Sequence, residues 1–321
     1  MEVNSVDPYE KLNLVRNPDG TITRNSIAPD VPATGEISDS DVLTKDVPLN
    51  EANATSVRIY RPNNATKDSN LPLIIFYHGG GFILFSAASL PFNELCVRMA
   101  RELPAVIVSV DYRLAPEHRL PAAFEDAVAA VLWVKTQASD KSNGEPWLTN
   151  YVDFSKCFIM GNSAGGTMVH YAALGLQKLG SDELQSIKIS GLILNQPFFG
   201  CVQRTASELR KLNDQIVSLA STDLMWELSL PIGADRDHEY CNPVVKGLSE
   251  SDIEALNSQK CLVYVGGEDP LMDSQKAYMK MLEESGVKFE TYYDEKAYHA
   301  IELFEPEKCQ NLFKAIRDFI Y

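Results

Sequence analysis

Residues 157–179 read CFIMGNSAGGTMVHYAALGLQKL: a short apolar run, one serine set among glycines, then a long stretch with helical spacing. A chain that leaves a buried strand and enters a helix within three residues must turn very sharply. Gly161, Gly165 and Gly166, which carry no side chain, would let neighbouring backbone come close to that turn. A parallel sheet joined by helical crossovers repeatedly needs strands followed at once by helices that pack back across them.

The rest of the chain keeps the same rhythm. LPLIIFY (71–77) and AVIVSVDY (105–112) are bulky and nearly all apolar, as strands covered on both faces must be. Between them Phe92, Leu95, Met99 and Leu103 recur at helical intervals. Pro121 suits the first turn of a helix over 121–138. Further strands are expected at 57–60, 157–160, 189–195, 260–266 and 287–294, and further helices at 164–179, 273–285 and about 306–320. The expected fold class is therefore α/β, a mostly parallel central sheet flanked by helices. Residues 1–50, punctuated by NPDG and APDVPATG, read as a loop-rich arm. Residues 203–230 interrupt the rhythm with helix-like sequence carrying Leu209, Ile216, Leu224 and Trp226. They read as one more packed helix pair or as a helical cap over the carboxyl ends of the strands; the cap is favoured, because ligands of open α/β sheets bind there. The chain is thus expected to be one domain, 1–321, capped by about 1–45 and 203–230.

Composition excludes several partners. The 321 residues carry a formal net charge of −15, which repels nucleic acid and anionic membrane surfaces. No apolar run approaches the roughly 20 residues that span a bilayer. The N-terminus shows no basic start or apolar core, so no secretory signal is read and a cytoplasmic location is expected. Six scattered cysteines without a C-x-x-C pair read as reduced thiols. No His, Cys or carboxylate cluster has ligand spacing, so neither metal nor organic cofactor is expected, and the expected partner is a small-molecule substrate.

G-x-S-x-G between a strand and a helix is the pattern of a nucleophilic serine on a tight turn, which points to Ser163. YHGGGF (77–82) follows another strand, and in company with such a serine its glycines can line an oxyanion hole. Within the run Gly79, Gly80 and Gly81, the N–H groups of Gly80 and Gly81 are the expected donors, with Ala164 as a third. A serine hydroxyl needs a base. Of five histidines, His78 reads as a support for the glycine loop, and His118 and His170 as structural. His299, a short loop beyond the last expected strand, is placed to reach back over the sheet edge. In VGGEDPLMDS (265–274), Asp269 stands just past a strand end and is chosen as the carboxylate that orients the base. Asp273 is the alternative, although it suits a helix N-cap. The pocket wall would draw on Phe82, Ile83, Leu84, Phe85, Phe198, Phe199 and Trp226, residues that equally suit the core.

HGGGF (78–82), DYRLAPEHRLPAA (111–123), GNSAGG (161–166), GGEDPLMD (266–273) and YHAIEL (298–303) together resemble the hormone-sensitive-lipase group of α/β-hydrolases, and the plant carboxylesterases in particular. The resemblance implies a Ser163–His299–Asp269 triad, an acyl-enzyme and hydrolysis of carboxylic esters of small apolar or aromatic metabolites, alkaloids among them. It also implies a structural brace in which Asp111, Arg113 and Glu117 are partners. Plant relatives that eliminate water or acetate, or cleave methyl esters before decarboxylation, give a second reading with the same residues. A hormone-receptor reading fits less well, because such receptors lack the base histidine. Two positions depart from the group: Asn162 stands where Asp or Glu is usual, and Thr167 where Asn is common.

Overall fold

The computed structural model describes residues 7–140 and 142–321, so the first six residues of the expected arm lie outside it. Among the described residues, β1 (Leu14–Arg16) and β2 (Ile22–Arg24) make a small antiparallel hairpin. Eight further strands are β3 (Val42–Asn50), β4 (Thr55–Pro62), β5 (Leu71–Tyr77), β6 (Val106–Asp111), β7 (Val152–Asn162), β8 (Ile189–Asn195), β9 (Lys260–Gly266) and β10 (Glu290–Asp294). They form one sheet in the order β10-β9-β8-β7-β5-β6-β4-β3. β4 pairs antiparallel with both β3 and β6, and every other pairing is parallel.

The central strand β5 shows how the apolar runs produce this architecture. Successive strand side chains point to opposite faces. Leu73, Ile75 and Tyr77 accordingly enter one core, while Ile74 and Phe76 enter the other. The first core is closed by the helices Ala122–Ser139 and Ala164–Leu179, the second by Leu90–Glu102 and Gln310–Ile320. A strand clad on both sides has no polar face, which is why its sequence does not alternate.

The structure departs from the sequence reading at the margins. The arm is loop-rich only to about residue 41, because β3 follows as an edge strand whose second half alternates between half-buried and exposed positions. Its Thr, Lys, Asp and Pro residues hide it from an apolar-run criterion, and an edge tolerates Pro48. β10 covers only 290–294, pairs with β9 alone and buries none of its residues fully. The expected C-terminal helix divides into a 3-10 turn, Pro306–Cys309, and the α-helix Gln310–Ile320. Residues 203–230 hold two helices, Ala206–Arg210 with a Thr205/Glu208 capping box and Leu219–Ser229 capped by Ser218. Among the described residues no helix is long and apolar enough to cross a membrane.

Truncation of Ile75, which is fully buried in the middle of the sheet, tests the two-sided core. Ile75→Ala is expected to lower unfolding free energy by about 2–5 kcal/mol, read as a fall in urea midpoint at unchanged m.

Candidate active site

The sequence places Ser163 between the last residue of β7, Asn162, and the first residue of the helix Ala164–Leu179. Its backbone has φ 53° and ψ −121°, a region that costs a non-glycine residue roughly 1–3 kcal/mol. The glycines make the bend possible. A Cβ on Gly161 would overlap the Gly165 carbonyl, and one on Gly165 would overlap the carbonyl oxygen of Tyr77 at the end of β5. The backbone of the serine is itself satisfied: its N–H donates to Asn195 O at 2.9 Å, and its carbonyl accepts from Thr167 and Phe198. Thr167 also donates its hydroxyl to the Phe198 carbonyl at 2.5 Å.

His299 and Asp269 meet this serine. His299 Nε2 lies 2.9 Å from Ser163 Oγ, and Nδ1 lies 2.9 Å from Asp269 Oδ2. A carboxylate at Nδ1 calls for the tautomer with its hydrogen there, which leaves Nε2 free to accept from the serine. Asp269 is fully buried and additionally accepts from the Leu271 N–H and from Gln275 Nε2, both at 2.8 Å. Burial alone would hold the imidazole neutral. The Asp269 charge and hydrogen bond outweigh it, with Glu302 and Asp214 adding to them, so His299 is held above its ordinary range.

The glycine loop passes in front of the serine. Gly79 lies so near that a Cβ there would stand 3.1 Å from both Ser163 Cβ and Asn162 O. Gly80 has φ 113°, and an added Cβ would press on the Leu84 carbonyl. Among the described residues, the N–H groups of Gly80, Gly81 and Ala164 donate to no protein acceptor. His78 bonds the Gly79 carbonyl through Nδ1 at 2.7 Å and stacks on Tyr112, whose hydroxyl donates to the His78 carbonyl at 2.9 Å. Burial pushes His78 down to about 4, so it is neutral at physiological pH.

A cavity of about 950 Å³ opens on Ser163 and His299. Its walls come from the arm (Lys11, Leu12, Ile27 to Pro29), from the insertion (Asp214 to Val217, Met225) and from Leu84, Phe85, Phe198, Leu303 and Phe304. Arm and insertion are tied by Lys11 Nζ on the Asp214 carbonyl at 2.5 Å. Of the seven residues expected in the wall, Leu84, Phe85 and Phe198 are there. Phe82, Ile83, Phe199 and Trp226 are not among the lining residues: they are at most 2% exposed and belong to the core beneath the glycine loop. Phe82 packs on Phe124 and Trp226, and Trp226 stacks on Phe198.

Two further assignments change. Asp111, Arg113 and Glu117 do not pair with one another. Asp111 accepts from the Ala87 N–H, Arg113 grips Asp126 on the adjacent helix, and Glu117 pairs with Arg24 of the hairpin. Asp273 is not the N-cap of its helix; it sits in the first turn and accepts from the Ser207 N–H at 2.7 Å.

Sequence reasoning missed Gln196, which follows β8 directly at the carboxyl end of the sheet. Its Nε2 donates to Tyr298 O at 3.0 Å and its Oε1 accepts from Ala300 N at 2.9 Å, gripping the backbone on both sides of His299. The position just beyond a central strand was the available signal.

The sequence matches the α/β-hydrolase-fold family over residues 74–303. It is 47% identical to the 3-O-acetylpapaveroxine carboxylesterase CXE2 of Papaver somniferum, over 98% of this chain and 99% of that one. The chain belongs to the plant carboxylesterases of the α/β-hydrolase fold. Carboxylesterase 20 of Arabidopsis thaliana is 42% identical over 98% of this chain and 97% of its own. The hyperthermophilic esterase of Pyrobaculum calidifontis superposes with a TM-score of 0.70 at 28% identity, covering 87% of this chain and 84% of that one. The chain is accordingly a carboxylesterase-type hydrolase, and Gln196 is where its histidine loop is fastened. Gln196→Ala is expected to lower kcat/KM about 10- to 100-fold with unchanged circular dichroism, since sub-ångström placement of His299 against Ser163 is lost.

Proposed function

We propose that this enzyme hydrolyses carboxylic esters of small apolar or aromatic specialised metabolites, alkaloid esters among them, with Ser163 as nucleophile, His299 as base and Asp269 as its orienting acid. One observation carries the reading: His299 Nε2 lies 2.9 Å from Ser163 Oγ where both open on the apolar-walled cavity. The imidazole takes the serine proton as Oγ attacks the ester carbonyl. The negative oxygen of the tetrahedral intermediate is received by the N–H groups of Gly80, Gly81 and Ala164, each such donor being worth roughly 3 kcal/mol. His299 then protonates the departing alcohol, and a water deprotonated by the same ring releases the acid. The arm and the 203–230 insertion act as the cap that keeps this chemistry from bulk water.

The Papaver relative's name specifies an O-acetyl ester, which supports a small acyl group on a bulkier alcohol. The imidazole's contact with the serine favours acyl transfer over elimination, because its base capacity is directed at Oγ.

Purified protein is expected to cleave p-nitrophenyl acetate and butyrate. Ser163→Ala should lose at least about a thousandfold in kcat, as triad members act as a unit. An organophosphate adduct located on Ser163 by mass spectrometry checks the nucleophile directly; an adduct elsewhere, or undiminished turnover in Ser163→Ala, overturns it.

A further inference from the structure

The residue preceding the serine leads to a second buried acid. Asn162 is 2% exposed and sends Nδ2 to Oε1 of Glu302 at 3.0 Å. Asn195, at the end of the neighbouring strand β8, sends its own Nδ2 to the same oxygen at 2.7 Å. Glu302 is fully buried in the short helix Ile301–Phe304, three residues beyond His299. Its Oε2 has no hydrogen-bond partner among the described residues, nor do the Oδ1 atoms of the two asparagines.

Burying a carboxylate is expensive unless a cation or a full set of donors compensates. Glu302 has neither. Arg98 is nearby, but it donates to the backbone carbonyl of Glu302 and lays its guanidinium over Phe313. Tyr264, Tyr298 and Cys309 feel the charge of the carboxyl but give it no hydrogen bond: they bond Asp294, the Glu305 carboxylate and the Glu305 carbonyl instead. Burial pushes all three upward, Tyr298 and Cys309 to about 12, so they bring no charge at neutral pH. Gln196 also grips the histidine loop on both sides of His299, so anchoring alone does not account for a buried carboxyl at 302. What distinguishes Glu302 is a negative charge close to the imidazole, in addition to those of Asp269 and Asp214.

We propose that Glu302 is a positioning residue acting through His299: a second buried carboxylate, held by Asn162 and Asn195, that keeps negative charge behind the imidazole and joins the serine turn to the histidine loop. The proposal rests on the triad reading above. It also explains why residue 162 is an amide here. A carboxylate at 162 would face that of Glu302 at hydrogen-bond distance, where the two cannot both be ionised. Asn162 and Glu302 therefore share one charge between two positions, with the amide as donor.

The base must be neutral to accept the serine proton, so kcat/KM rises with pH through the His299 titration. A negative charge nearby favours the imidazolium and moves that limb to higher pH; removing the charge moves it to lower pH. Glu302→Gln, which keeps size and loses charge, is expected to shift the acid limb of kcat/KM for p-nitrophenyl butyrate downward by about 0.5–1 pH unit. Asn162→Asp is expected to lose at least about tenfold in kcat/KM from carboxylate repulsion. The double variant Asn162→Asp/Glu302→Gln, which restores an amide–carboxylate pair of reversed polarity, is expected to recover at least about tenfold over Asn162→Asp. An acid limb in Glu302→Gln superimposable on the parent's overturns the proposal, as does a double variant no better than Asn162→Asp. If Glu302→Gln does not fold by circular dichroism, the double variant alone decides. Should the parent be inert on esters, the triad reading fails separately, and the same downward shift in Glu302→Gln is then read from the His299 ring protons by NMR.

Discussion

Three stretches of backbone approach each other at the centre of this molecule more closely than any side chain would permit. The end of β5, the end of β7 and the first turn of the helix Ala164–Leu179 meet where Gly161 and Gly165 leave no Cβ to intervene. That approach is what holds Ser163 in a conformation an isolated peptide would avoid. The strain is offset locally as well as globally. The serine's N–H is bonded to the end of β8, and its carbonyl to its own helix at Thr167 and to Phe198 beyond β8, so the turn is held on both sides. The same approach sets Ala164 and the glycine loop beside Ser163, with the N–H groups of Gly80, Gly81 and Ala164 bonded to no acceptor among the described residues. The serine turn and its neighbouring N–H groups are thus consequences of a single packing event between two strands and a helix.

The histidines supply an internal comparison that decides which force governs the site. His78, His170 and His299 are all at most 2% exposed. Burial, the largest influence on His78 and His170, drives both down to about 4. Neither has a carboxylate in hydrogen-bond contact: His78 meets the Gly79 carbonyl and His170 meets the Tyr278 hydroxyl. His299 suffers the same desolvation and yet is raised, because Asp269 touches it and Glu302 and Asp214 lie near. With burial matched, the opposite sign belongs to the carboxylates. Nearby carboxylates, not exposure, therefore separate the ring that is raised from the two that are lowered.

The parts of the fold that were legible in the sequence are those where one physical requirement dominates a short window. Strands clad on both faces must be apolar throughout, so β5, β6, β8 and β9 stand out from composition alone. The serine turn stands out because only glycine survives the close approach. Ser163, His299 and Asp269 follow from their places at strand ends, and the structure brings those three side chains together. β3 was hidden because an edge strand buries half its residues and tolerates Pro48. Phe82, Ile83 and Trp226 were placed on the pocket wall because an aromatic residue beside a glycine loop serves core and cavity equally well in one dimension. Only the path of the backbone shows which side of the loop each occupies. Glu302 was invisible for a related reason: its partners, Asn162 and Asn195, lie more than a hundred residues away, and no local pattern marks a carboxylate as buried.

The least legible segments are also those that shape the cavity, and they are not independent of the chemistry. The insertion is fastened to the loop that carries Asp269: Ser207 donates its N–H to Asp273 and its hydroxyl to the Pro270 carbonyl at 2.7 Å, while Lys211 pairs with Glu268. Asp269 stands between those anchoring points. On the other side, Arg24 of the hairpin bonds the Ile83 carbonyl at 2.6 Å and pairs with Glu117, which ties the arm to the segment just past Gly79, Gly80 and Gly81. A residue changed in one of these ties therefore acts on two things at once, the shape of the cavity and the support beneath Asp269 or the glycine loop. Variation in substrate choice within such a scaffold is coupled to rate by construction. Positions such as Ile216 and Ile27, which line the cavity and take part in none of these ties, are where the cavity's shape can change without loosening the supports of Asp269 and the glycine loop.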